Sequence, residues 1–126
     1  MDASPLTGGP LVASDEETLR VLNLEINRSE NEGDGNYLAG VLAPELAFMR
    51  ADGKTVDDAG RFLQKAAPKP ALGQLAIESI ELLGNRAIVQ CVVTQAGKRF
   101  HNIRLFVRLD GNWKLLGWAN EEIATA

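Results

Sequence analysis

Histidine, cysteine and tyrosine each occur once, as His101, Cys91 and Tyr37. One cysteine excludes an intramolecular disulfide and a thiolate-rich metal centre. One histidine excludes a histidine-only zinc site, so neither a metal nor a cofactor is expected. Apolar runs fall well short of the ~20 residues that cross a bilayer. The first ten residues lack the basic start and apolar core of a secretory signal. With the lone cysteine, this makes a cytoplasmic location the expectation. Basic charge is also in deficit: 13 Lys and Arg against 17 Asp and Glu leave a net charge of −4. Nucleic-acid binding needs clustered basic residues and is disfavoured. Neither a glycine-rich phosphate loop nor a dinucleotide fingerprint occurs.

What remains is a composition of 45% apolar and 24% charged residues over 126 positions, which fits one globular domain. Pro5, Gly8, Gly9 and Pro10 make residues 1–13 a flexible leader, and residues 14–126 form the domain. Ser14 and Glu17 have capping-box spacing and predict a helix to about Asn31, with Leu19, Leu22 and Ile26 buried and Val21 and Leu24 widening the stripe. Asp34 caps a second, short helix limited by Pro44. Leu46–Met49 reads as a short strand. Thr55 and Asp58 then start a third helix carrying Phe62 and Leu63. Four strands follow, at 77–83, 86–95, 99–109 and 113–121, separated by Gly84-Asn85, Ala96-Gly97 and Asp110-Gly111. Turns this short imply antiparallel hairpins.

Three stretches stand out in that order. They are Glu32-Gly33-Asp34 before Tyr37-Leu38, the run from Leu46 to Gly53, and the run from Arg104 to Leu116 with its Asp-Gly turn and Trp113. Together they resemble the nuclear transport factor 2-like superfamily, in its SnoaL-like and ketosteroid-isomerase-like branch, over residues 15–121. The resemblance implies an α+β fold in which a strongly curved antiparallel sheet wraps N-terminal helices into a cone. It also implies a pocket at the open end and a homodimer through the outer sheet face.

Alternation separates the two faces of the last hairpin. With a two-residue turn, Arg108 faces Trp113, Phe106 faces Leu115, Arg104 faces Gly117 and Asn102 faces Ala119. The other face carries Ile103, Leu105, Val107, Leu116 and Trp118, a patch larger than a monomer ordinarily exposes. These five residues are the expected dimer surface. Intramolecular cover is the alternative.

Asn102 and Arg104 interrupt the inner face. A buried guanidinium needs a partner. Arg104 is either an anchor for an anionic or carbonyl-bearing ligand or a structural group tied to an internal acid such as Glu121 or Asp34. Tyr37, Phe48, Phe62 and Trp113 are the expected apolar lining of the pocket, with core packing as their other reading. Cys91 alternates with apolar neighbours and reads as an inert buried thiol. Asp57 and Asp58 diverge at a helix start and read as structural.

In the isomerase branch the catalytic carboxylate follows the first strand. Arg50 falls near that place here, with Asp52 in the adjacent turn. The dehydratase branch uses more than one pocket histidine, whereas a polyketide-cyclase relative could work with Asp, Asn or Arg alone. Asp52 and His101 remain the catalytic candidates, although His101 falls on the outer face. The expectation is a small-molecule-binding domain whose apolar pocket holds a buried Arg/Asn centre and takes a small hydrophobic or anionic ligand. The alternatives are an isomerase, dehydratase or polyketide-cyclase-like enzyme acting on a small hydrophobic carbonyl compound, and a structural homodimerisation module. Enzymatic activity itself is left open.

Overall fold

The computed structural model describes residues 14–124; the leader at 1–13 lies outside them. Helix α1 runs Asp15–Glu32, and the Ser14 side chain accepts from the Glu17 N–H at 3.1 Å. Three acids in its first turn favour the positive helix end. Gly33 ends the helix at φ 72°, where a Cβ would meet the Pro68 nitrogen at 2.5 Å. Only glycine fits that left-handed turn against the facing chain. Asp34 caps α2 (Gly35–Val41) through the Tyr37 N–H.

Strand β1 spans Leu42–Met49 and starts earlier than the sequence indicated. Its first half is irregular: the register against the last strand shifts between Leu42 and Ala47. Pro44, which has no N–H to give a ladder, sits inside that break. Strand β2 is Val56–Asp57, and α3 is Ala59–Gln64. Asp58 is the α3 cap, accepting from the Arg61 N–H. Thr55 is not part of that cap; its hydroxyl donates to Asp52 instead. Strands β3 (Gln74–Leu83), β4 (Arg86–Gln95), β5 (Lys98–Leu109) and β6 (Asn112–Glu122) form the antiparallel meander.

The sheet order is β2-β1-β6-β5-β4-β3, with β1 parallel to β6. It is therefore a six-stranded mixed sheet, open at β2 and β3, and neither closed nor strongly curved. The expected cone is corrected on this point, as is the all-antiparallel sheet. Alternation assigns faces but carries no information on curvature, and β1 reaches β6 only through a pairing distant in sequence. Helix α1 packs against β3, α2 against β6, and α3 against β1. Leu19, Ile26, Leu38, Phe48, Phe62, Val89, Phe106 and Leu115 make one core between helices and sheet. Val21 and Leu24, expected to widen the α1 stripe, are exposed.

The β5–β6 hairpin holds the main correction to register. Asp110 and Gly111 both have positive φ, the geometry of a tight turn that matches strand twist. Leu109–Asn112, Arg108–Trp113 and Phe106–Leu115 therefore pair as expected. Between Leu105 and Phe106 the register slips by one, so that Leu105 faces Gly117, Arg104 faces Trp118 and Asn102 faces Asn120. A bulge adds one residue on one strand and reverses the facing of everything beyond it. Trp118 consequently turns into the core at 4% exposure and leaves the proposed dimer surface. Gly117 makes room for Leu105, not Arg104: a Cβ there would meet Leu105 Cδ1 at 3.1 Å.

Candidate functional site

A cluster of buried polar groups occupies the interior between α1 and the centre of the sheet. Asn102 and Arg104 project inward from β5, and Arg104 is fully buried. Its Nη1 donates to Asn23 Oδ1 at 3.1 Å and its Nη2 to Asn102 Oδ1 at 3.3 Å. Asn102 Oδ1 also accepts from Trp118 Nε1 at 2.9 Å. The guanidinium lies over the Trp118 ring, 4.5 Å from its centroid. The nearest acid is Glu30, whose Oε1 is 3.9 Å from Arg104 Nη2. Neither Glu121 nor Asp34 fills that role.

Asn23 and Glu30 were missed by the sequence reading. Both follow the buried face of α1, since Leu19, Asn23, Ile26 and Glu30 are spaced by three and four residues. A helix presents such positions on one side. A stripe that counts only apolar residues passes over them, and the signal was their spacing.

Beside this cluster opens a cavity of about 290 Å3. Glu30, Asn27 and Asn31 border it from α1, Phe48 and Arg50 from the end of β1, and Asn102, Phe100, Trp118 and Asn120 from the sheet. Phe48 and Trp118 stack at 4.3 Å, and Phe62 closes on both from behind. Asn31 brackets Gly73, accepting from its N–H at 2.8 Å and donating to its carbonyl at 2.9 Å. Asn27 donates to the same carbonyl at 3.1 Å, so α1 is fixed to the segment entering β3. Asn120 Oδ1 is buried without a partner among the described residues.

Arg50 and Lys69 bring positive charge to the wall. Arg50 Nε donates to Asp57 at 2.6 Å, and its guanidinium lies 4.7 Å from the Phe48 centroid. Asp57 is buried and also receives Lys65 Nζ at 2.9 Å. Those hydrogen bonds, led by Lys65, hold its carboxyl below the usual aspartate range despite burial. Asp57 therefore acts as a buried counter-charge, and Asp58 as a helix cap. For Glu30, burial pushes the carboxyl pKa up, against the opposing pull of Arg104, Lys69 and Arg50.

The remaining predicted residues lie apart from one another. Phe48 and Asn102 line the cavity, and Arg104 stands directly behind Asn102. Tyr37 is half-buried beneath Arg28, 5.6 Å from the guanidinium, and Trp113 lies under Arg108 at 4.6 Å. Neither borders the cavity, and Phe62 reaches only a much smaller recess behind it. Asp52 is at the cavity rim. Its carboxylate accepts from the Thr55 hydroxyl and from the Lys54 and Thr55 N–H groups, which lower its pKa to about 2. His101 is on the outer face, 3.2 Å from Gln90 Oε1. Cys91 is buried, and burial pushes its thiol pKa up. Among the described residues no group of His, Cys, Asp and Glu could hold a metal ion, and no helix is long and apolar enough to cross a membrane.

No protein-family model matches the sequence, and no curated protein is similar to it. Solved structures are similar in fold. A nuclear transport factor 2-like protein of unknown function from Silicibacter pomeroyi has a TM-score of 0.72 at 17% identity, covering 88% of this chain and 100% of its own. A nuclear transport factor 2-like protein from Cytophaga hutchinsonii reaches 0.77 at 14% identity, with coverage of 88% and 100%. A protein from Exiguobacterium sibiricum, named for the association domain of a Ca/calmodulin-dependent kinase II, reaches 0.74 at 19% identity, with coverage of 94% and 100%. Such likeness establishes the fold alone, an α+β fold of the nuclear transport factor 2-like type, and this chain carries within it a pocket lined by polar and aromatic side chains.

Proposed function

We propose that the domain over residues 14–126 binds a compact small molecule in the cavity beside Asn102. One observation carries this reading. A cavity of about 290 Å3 joins aromatic walls to several polar side chains, where a protein with no use for the space would pack it. Arg104 supports the site from behind, holding Asn102 and the Trp118 ring, and cavity cations such as Arg50 and Lys69 are the groups that meet an anionic or carbonyl end.

The enzyme reading has less support. Asp52, with a pKa of about 2, is a poor proton acceptor, and His101 faces away from the cavity. The stretch Arg104–Leu116 supports placement in the SnoaL-like, ketosteroid-isomerase-like branch. The buried, unpaired Cys91 suits a reducing setting such as the cytoplasm.

A thermal-shift screen of small metabolites tests the binding reading. Some compounds should raise the melting temperature of the wild type and lose that effect in Val93→Trp, which plugs the cavity wall. A screen with no stabilising compound, or with shifts unchanged by the plug, would remove the proposal.

We also propose that the outer sheet face forms a homodimer. Ile103, Leu105 and Ile88 are 38%, 41% and 40% exposed on adjoining strands, a level that leaves an apolar patch uncovered in one chain. Val107 and Leu116 are only partly covered beside them. Sedimentation of the wild type should give a dimer, and Ile103→Lys should give a folded monomer. A wild-type monomer at micromolar concentration would contradict this.

A further inference from the structure

We infer that the cavity takes up a compact, largely apolar carboxylate together with one proton, and that Glu30 is the group that carries the proton. This rests on the binding reading above and names its ligand class. Glu30 borders the cavity from α1 with its side chain about 21% exposed. Unlike Asp52, Asp57 and Asp34, it accepts no hydrogen bond among the described residues. Its nearest cation, Arg104, stops at 3.9 Å, beyond hydrogen-bond reach, and is already held by Asn23 and Asn102.

The charges facing Glu30 come from three elements: Arg104 on β5, Arg50 after β1, and Lys69 between α3 and β3. Asp52 stands at the rim, turned to its own loop. Arg50 is offset by Asp57, which also serves Lys65. Lys69 has no carboxylate within 4.0 Å among the described residues, so the cavity wall has a cation to offer. An incoming carboxylate meets Lys69 favourably and an ionised Glu30 unfavourably. Both effects act across a cavity of only about 290 Å3 and strengthen as the ligand displaces water from it. Protonation removes the conflict and creates a bond: a proton from solvent passes to a Glu30 oxygen, and the resulting O–H donates to the ligand carboxylate. No other bond changes. Phe48, Val93, Phe100 and Trp118 supply the surface for the hydrocarbon part.

The burial-raised pKa of Glu30 agrees in sign. The neutral form binds the anion, so affinity rises as pH falls through the Glu30 pKa and is lost above it. Benzoate is a suitable probe, because it stays ionised over the useful range. Calorimetric titration of the full chain should show benzoate binding at least about tenfold tighter near pH 5.5 than near pH 8, with proton uptake from buffer during binding. Glu30→Gln, which is neutral and donates a hydrogen bond at any pH, should bind at both pH values with little difference. Inorganic phosphate, which has no apolar part, should not compete.

Wild-type benzoate binding that ignores pH, competition by phosphate, or loss of binding in Glu30→Gln would overturn the inference and leave the binding reading intact. So would an absence of benzoate binding by both proteins while other metabolites still stabilise the wild type. Failure of every compound in the metabolite screen would end both. Should Glu30→Gln not fold, the wild-type pH profile and proton uptake decide alone.

Discussion

Replacing Arg104 with Met is expected to lower the stability of the protein by about 3 kcal/mol, the low end of what removing one partner from a buried charged pair costs. Asn23 Oδ1 loses its donor, Asn102 Oδ1 loses one of two and keeps Trp118 Nε1, and Glu30 loses its nearest cation. A buried acceptor left without a donor costs ~1–3 kcal/mol by itself. Two features hold the total below the sum. Arg104 Nε is buried with no partner, so its removal relieves one unmet donor. Glu30 also retains contact with the cavity and can take a proton. At roughly 3 kcal/mol the melting temperature should fall by on the order of 10 °C, and urea unfolding measures the change directly. A loss under ~1 kcal/mol would mean that the polar cluster is dispensable and that Met packs in its place.

Truncating Trp118 to Ala should cost about 3–5 kcal/mol, the range for deleting a large buried aromatic. Its ring is stacked on Phe48, touches Phe62 and carries the Arg104 guanidinium, while its N–H holds Asn102. The same substitution should leave the association state of the remaining folded protein unchanged, because Trp118 faces the core. Ile103→Lys should show the reverse pattern, with association lost and folding kept. Unfolding curves paired with sedimentation separate the two. A Trp118→Ala protein that is as stable as the wild type but monomeric would return Trp118 to the outer face and contradict the bulged register.

Much of the local structure was legible from residue order. Ser14, Asp34 and Asp58 cap the helices because a short side-chain oxygen beside free N–H groups acts over one turn. The tight Asp110-Gly111 turn fixes its first four pairs, from Leu109–Asn112 to Phe106–Leu115, for the same local reason. The alternation of β5 put Asn102, Arg104 and Phe106 inside and Ile103 and Leu105 outside, as found. That pattern fails at Trp118, where one bulged residue inverts the face. Nothing in the run Lys114–Trp118 announces the inversion except Gly117, whose missing Cβ accommodates Leu105.

The candidate site was legible by half. Arg104, Asn102 and Phe48 could be named from strand alternation, but their partners come from elsewhere in the chain. Asn23 is 81 positions from Arg104, and Asn27 is 46 from Gly73. Tyr37, Phe62 and Trp113 were grouped with them on aromatic character alone, and character does not fix position. Residue order by itself determined the capped helices, the four-strand meander and the inward facing of Arg104, since each depends on neighbours a few bonds away. Only the tertiary structure decided the parallel β1–β6 pairing, the open sheet, the turn of Trp118 into the core and the meeting of Glu30 with Arg104. Those outcomes depend on surfaces distant in sequence coming into contact, and a periodic pattern holds no record of which distant surface that is.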